Sequence, residues 1–170
     1  MATFLALDVA LAFTGYAVVT DSMKVITYGV IKTSPKSKTS FKYVQQAQVS
    51  RCQSLAESVL SIIRSNPIEV VVAEFPAGGG RSFSAVSAMA LATGTVAAAI
   101  TSVGLPVIVV HPNQSKRLFS AKGAVSKDSL SGIVVPRFKF EVAPVKISEH
   151  VSDALAAFLV ASQIELKDYG

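Results

Sequence analysis

Acidic side chains are scarce in this chain, eleven among 170 residues, and two of them stand where a carboxylate is costly. Asp8 closes the apolar run Ala2-Thr3-Phe4-Leu5-Ala6-Leu7, and Glu74 closes Val70-Val71-Val72-Ala73. An ionised carboxylate taken out of water needs a cation or a full set of hydrogen-bond donors. His150 and Asp153 lie three residues apart near the start of the last helix-like segment. Residues i and i+3 share a helix face, so both can enter one cleft. Three carboxylates and an imidazole drawn from distant parts of the chain point first to a divalent-metal site. Two-metal phosphodiester hydrolysis uses such a set around ions roughly 3.5–4 Å apart, one activating the attacking water and the other stabilising the leaving oxygen. Oxygen ligands suit Mg²⁺, and an imidazole among them shifts the preference toward Mn²⁺.

The elements that must carry these groups can be read from period and punctuation. Residues 3–9 read as a strand, Gly15 to Val19 as a second and Val25 to Ile31 as a third, with Asp21-Ser22 as the turn between the last two. Residues 33–42, with Pro35 and Lys36, Lys38 and Lys42, read as an exposed loop. Val44 to Ser65 is spaced as an amphipathic helix whose inner face holds Val49, Cys52, Leu55, Ala56, Val59, Ile62 and Ile63, and Asn66-Pro67 stops it. Glu69 to Glu74 reads as a fully buried strand. A buried helix of small residues over about 82–103, a break at Gly104-Leu105-Pro106 and a buried strand Val107 to Val110 follow. A basic stretch at 113–127, an apolar segment around Ile133-Val134-Val135 and a helix starting near Ser148 complete the chain. The expected fold is α/β: one domain over 1–170, with a mixed sheet of three antiparallel strands and then parallel strands, flanked by helices. Acids at the carboxyl ends of parallel strands stand where such sheets place their sites.

Bulk properties narrow the function classes. At 17.8 kDa, 51% apolar and 16% charged, the chain can bury a core and is not a disordered segment. A formal charge of +5 suits a polyanionic partner. Cys52 is the single cysteine, which excludes an intrachain disulfide and a cysteine-based zinc site. The uncharged stretch from Ser82 to Ser115 is long enough for a membrane span, but its Ala, Ser, Thr and Gly content and the break at Gly104 favour a buried helix and strand, with no membrane partner. No targeting segment is evident, so a cytoplasmic or nucleoid setting, an infected cell's cytoplasm and an organelle are all compatible.

Taken in order, these motifs resemble the RuvC-type Holliday-junction resolvases of the RNase H-like (retroviral integrase) superfamily. Leu5-Ala6-Leu7-Asp8 followed by Thr14-Gly15-Tyr16-Ala17-Val18 is similar to that family's opening strand and hairpin. Ile68 to Glu74 is similar to its second acidic strand. Pro112-Asn113-Gln114-Ser115-Lys116 with Lys122-Gly123-Ala124-Val125-Ser126-Lys127 resembles its basic segment, the two lysines eleven residues apart. Glu149-His150-Val151-Ser152-Asp153-Ala154-Leu155-Ala156 resembles its closing helix. The resemblance implies an RNase H-like fold and a homodimer that nicks four-way DNA junctions symmetrically, leaving 5′-phosphates. It implies Asp8, Glu74, His150 and Asp153 as ligands of Mg²⁺ or Mn²⁺, two ions per site. Lys116 and Lys127 would meet phosphates, with Lys122 and Arg81 as further contacts. Three departures stand out. Val9-Ala10 replace the usual Pro-Gly after the first acid, Ala121 replaces a glycine, and the junction-wedging aromatic is either Phe75 or Phe83.

Blander readings stand beside these. Asp8 could pair with a lysine, Glu74 could cap the turn at Phe75-Pro76, and Glu149 could take the place of His150. Lys36, Lys38, Lys42 and Lys122 could be solvated loop charges, and His111 before Pro112 reads as structural. Gly78-Gly79-Gly80-Arg81 lacks the Lys-Ser/Thr of a P-loop. Ala90, Gly94 and Ala98 recur every fourth residue. They fit either packing on the chain's own sheet or a helix-to-helix dimer contact. At the level of function the rivals are a nuclease of the same superfamily acting on other branched DNA or on RNA–DNA hybrids, and a non-catalytic junction-binding protein. A two-lobed ATPase of related fold needs far more chain.

Overall fold

The computed structural model describes residues 1–33, 43–76, 82–119, 127–141, 144 and 146–164. Strand β1 (Thr3–Asp8), β2 (Phe13–Thr20) and β3 (Lys24–Lys32) open the chain, followed by helix α1 (Val44–Ser65) and strand β4 (Val70–Glu74). Helix α2 (Phe83–Ser102), β5 (Val107–Val110), the short helices α3 (Pro112–Phe119) and α4 (Lys127–Val134), a 3₁₀ turn at Val135–Arg137, β6 (Lys139–Phe140) and α5 (Glu149–Ile164) complete it. The six strands form one sheet in the order β5-β4-β1-β2-β3-β6. β1, β2 and β3 pair antiparallel, whereas β1–β4, β4–β5 and β3–β6 pair parallel. The expected mixed sheet flanked by helices is what forms.

Two apolar layers sandwich the sheet, and β1 feeds both. Phe4 and Ala6 point to the side covered by α5, and Leu5 and Leu7 to the side covered by α1 and α2. That is the period of two expected of a central strand buried on both faces. On the α5 side the layer is sealed by Phe119, Val134 and Phe138, and Phe158 packs edge-on against Phe4 with ring centroids 5.3 Å apart. On the other side Leu55, Val59 and Ile63 of α1 meet Ala92, Val96, Ala99 and Ile100 of α2. α1 ends where Asn66 Nδ2 donates to the Ile62 carbonyl, 2.8 Å away, ahead of Pro67. α2 starts with Ser82 Oγ accepting the Ala85 N–H. It ends just before Gly104, whose φ of 69° lets the chain reverse into β5.

Several expectations need correcting. Val49 does not join the inner face of α1: it is 58% exposed, because the first turns of α1 run beyond the sheet's cover. β5 is not a buried strand but the sheet's edge. Ile108 and Val110 face the α5 layer, while Val107 and Val109 are 42% and 57% exposed. α2 is buried on one face only, and its other face carries Phe83, Val86, Ala90, Gly94 and Ala98 in the open. By length and composition α2 is a candidate to cross a membrane, although the buried face just named packs on α1 and the sheet. The described parts of the basic stretch and the apolar segment after it form α3, α4 and the 3₁₀ turn, while 120–126 lie outside the described residues, and β6 adds a two-residue strand not expected from the sequence. The loop expected over 33–42 lies, from residue 34 on, outside the described residues.

Candidate active site

Asp8 and Glu74 are register partners across the parallel β1–β4 pair, so two half-buried carboxylates sit side by side at the carboxyl ends of adjacent strands. The Val9 N–H donates to the Glu74 carbonyl at 3.0 Å and extends the ladder one residue past the acids. The turn that follows lacks the Pro-Gly of the family it resembles, and Thr14 holds it instead. Buried Thr14 Oγ1 donates to the Ala10 carbonyl (2.7 Å) and accepts the Ala10 N–H (3.2 Å). Both polar groups of one turn residue are thereby satisfied by one side chain, which fixes the exit from Asp8.

α5 delivers His150 onto this corner. His150 Nδ1 lies 3.1 Å from Asp8 Oδ2, with both residues half-buried. The approach depends on Gly15, the cross-strand partner of Asp8. A Cβ there would run into the backbone carbonyl of His150 and come within 2.8 Å of its side-chain Cβ. Phe13, two residues earlier on the same face of β2, stacks on the imidazole with centroids 5.8 Å apart and planes 11° from parallel. His150 is therefore held through backbone, ring face and Nδ1 at once. Asp153 follows one turn later, half-buried between buried Ser152 and Ala154. Glu149, the rival ligand, is exposed, whereas His150 is half-buried and meets Asp8. Glu74 in turn accepts a 2.7 Å hydrogen bond from Ser115 Oγ on α3.

The donors at this corner are those of a hard divalent-metal site. Two adjacent ligands of one ion, each about 2.1 Å from it, lie about 3 Å apart. The Asp8–His150 spacing of 3.1 Å matches that edge. Carboxylate oxygens with one imidazole nitrogen suit Mg²⁺ or Mn²⁺. Among the described residues no group of three or more His, Cys, Asp and Glu is yet gathered tightly enough to hold an ion. The pair thus fits two coordination positions, and Glu74, in register with Asp8, and Asp153, one helix turn from His150, are the residues that could supply the rest.

The remaining candidates divide. Lys116 lies on α3 and Lys127 opens α4; only their backbones are described. Arg81 and Lys122 fall outside the described residues. Phe75 is partly buried against the α1–α2 layer, whereas Phe83 is 88% exposed at the start of α2. His111 is structural, as expected: its Nδ1 accepts the Asn113 N–H at the start of α3. Ala90, Gly94 and Ala98 do not pack on the sheet; all three are exposed, and a Cβ added to Gly94 would meet nothing within 4 Å. Sequence reasoning gave no role to Ser115 or Phe13. A serine ahead of Lys116 and an aromatic ahead of Thr14-Gly15 carry no spacing signal of their own.

No family model matches the sequence, and no curated protein is significantly similar to it. Solved structures do match its fold. Thermus thermophilus RuvC in complex with a Holliday junction substrate superposes with a TM-score of 0.75 at 20% identity, covering 95% of this chain and 93% of that one. Thermus thermophilus RuvC alone gives 0.72 at 21%, covering 95% and 96%. The yeast mitochondrial Holliday junction resolvase gives 0.65 at 11%, covering 99% and 83%. The RNase H-like fold implied by the motifs is thus the fold the chain adopts.

Proposed function

We propose that this protein is a metal-dependent, structure-selective endonuclease that resolves four-way DNA junctions by paired symmetric nicks. One observation carries the reading: Asp8 and Glu74 in register, with His150 at 3.1 Å from Asp8, at the carboxyl ends of the strands of a fold shared with a RuvC–junction complex. Asp8, Glu74, His150 and Asp153 would hold the ions, Mg²⁺ or Mn²⁺, two to a site. When bound, the ions supply an activated water and charge for the leaving oxygen of an in-line displacement, which leaves 5′-phosphate and 3′-hydroxyl ends. Lys116, Lys122, Lys127 and Arg81 neutralise and position the phosphates, contacts that carry affinity rather than sequence preference. Of the two aromatics, exposed Phe83 is better placed than Phe75 to insert at the junction centre.

Two symmetric nicks need two sites. The bare stripe of α2 and the exposed Val107 and Val109 of β5 lie on the same side of the sheet and carry no charge. A second copy covering this apolar face makes the homodimer, since monomers rarely leave such patches open.

The experiment is cleavage of a mobile four-way junction and its matching linear duplex, in Mg²⁺ or Mn²⁺, by wild type and Asp8→Asn. We expect paired nicks on the junction alone and a loss on the order of a thousandfold in the variant, several kcal/mol of transition-state stabilisation. Junction binding without cleavage in either metal would replace the nuclease with a junction-binding protein. Preferential cutting of an RNA–DNA hybrid would move the assignment to another nuclease of the superfamily.

A further inference from the structure

We propose that Ser115 is a positioning residue for Glu74, fixing the orientation of a carboxylate that would hold metal; this rests on the nuclease reading above. Serine and threonine hydroxyls inside a helix usually turn back to the carbonyl four residues earlier. This chain does so at Ser54 (to Ser50, 3.0 Å), Ser58 (to Ser54, 2.8 Å) and Thr101 (to Ala97, 2.8 Å). Ser115 breaks that habit. It is 5% exposed, and its Oγ donates across 2.7 Å to Glu74 Oε2, a residue 41 positions away. A hydroxyl bound to a carboxylate at that distance is a charge-assisted bond, about twice as strong as a neutral one.

The bond matters because Glu74 ends β4 on a side chain with several free torsions, and the backbone alone does not set its carboxylate plane. Ser115 sets it from the far side. The hydroxyl meets Glu74 from α3, one residue before Lys116. The start of α3 does not depend on it. The His111 N–H donates to Gln114 Oε1 (2.7 Å), the Asn113 N–H to His111 Nδ1 (3.1 Å), and Phe119 anchors the other end in the core. Removing the hydroxyl therefore takes the Ser115 bond from Glu74 and leaves the helix in place. Partners that orient a metal ligand typically account for 10–100-fold in metal affinity or activity.

The test compares wild type, Ser115→Ala, Ser115→Thr and Glu74→Gln in three measurements: Mn²⁺ binding by calorimetry without DNA, junction cleavage against Mn²⁺ concentration, and thermal melting. Ser115→Ala is expected to bind Mn²⁺ about 10–100-fold more weakly and to cleave with lower kcat at unchanged junction KM, with only the small drop in melting that one lost hydrogen bond gives. Ser115→Thr, which keeps the hydroxyl, should recover most of the affinity. Two results would overturn the proposal: wild-type Mn²⁺ binding and kcat in Ser115→Ala, or equal losses in the Ala and Thr variants accompanied by lower melting, which is packing alone. If wild type cleaves and Glu74→Gln does not, those results concern Ser115 only. Wild type that neither binds Mn²⁺ nor cleaves removes the nuclease reading and this inference with it.

Discussion

α5 and α2 are both built from Ala, Ser, Val and Leu with almost no charge, yet the fold treats them oppositely. From Val151 to Ala161 every residue of α5 except Asp153 is buried, since the sheet lies on one side and α3, α4 and the 3₁₀ turn close the other. α2 buries Ala92, Val96, Ala99 and Ile100 against α1 and the sheet and leaves its outer stripe bare. A helix apolar all round must be covered all round. In α5 the chain supplies that cover itself, and the one half-buried residue in that span is Asp153, a proposed metal ligand. In α2 the outer stripe is the face that the proposed second copy would cover. The two glycines next to these helices carry the same contrast: Gly15 lies under the start of α5 with no room for a methyl group, and Gly94 on α2 faces open space.

The largest effect that sharpens the contrast is a charge placed on each helix. Ala156→Asp puts an unpaired carboxylate into the fully buried face of α5, and we expect more than about 4 kcal/mol of destabilisation, enough to prevent folding. Ala90→Asp on the exposed stripe of α2 should leave the monomer within about 0.5 kcal/mol of wild type while weakening self-association. Urea unfolding and sedimentation of the two variants read both effects. Equal destabilisation of the two would erase the distinction between the helices.

A smaller effect is expected at Gly15. Gly15→Ala pushes against the His150 carbonyl, so either α5 or β2 must shift, at about 1–3 kcal/mol for overpacking. The shift separates His150 from Asp8, and a misplacement of about 1 Å costs on the order of a hundredfold in rate. Cleavage should thus fall far more than melting does. A variant with full activity would mean that the Asp8–His150 spacing does not matter to the site.

Much of this was legible beforehand because burial leaves marks on sequence. The strands β1 and β4 are unbroken apolar runs, and an acid at the end of such a run stands out, so Asp8 and Glu74 could be named. α1 could be bounded by Asn66-Pro67. Hydropathy could not say which apolar faces the fold leaves uncovered, which is why Val49, Val107 and Val109 were placed inside. The two-residue β6 pairs with β3 in parallel at Lys24–Lys139 and Val25–Phe140, a partner its own sequence does not reveal. Ser115 and Phe13 became visible only once α3 reached β4 and α5 reached β2, because their roles lie in contacts across 41 and 137 positions, not in local pattern.

The finest probe of the contrast is Gly94→Ala, whose sign depends on what covers α2. In the isolated chain the added methyl meets nothing within 4 Å, and alanine is favoured over glycine inside a helix by about 0.8–1.0 kcal/mol. Melting should therefore rise at low protein concentration. If the stripe of Ala90, Gly94 and Ala98 meets its own copy in the dimer, close approach of two helices uses the space at Gly94, and a methyl group there costs about what an overpacked contact costs, 1–3 kcal/mol. The gain should then shrink or reverse as concentration rises and dimer forms. Melting temperatures of wild type and Gly94→Ala over a hundredfold concentration range separate the cases. A constant gain means that nothing packs on Gly94 and removes α2 from the proposed dimer contact, leaving β5 and the start of α1, where Val107, Val109 and Val49 are exposed.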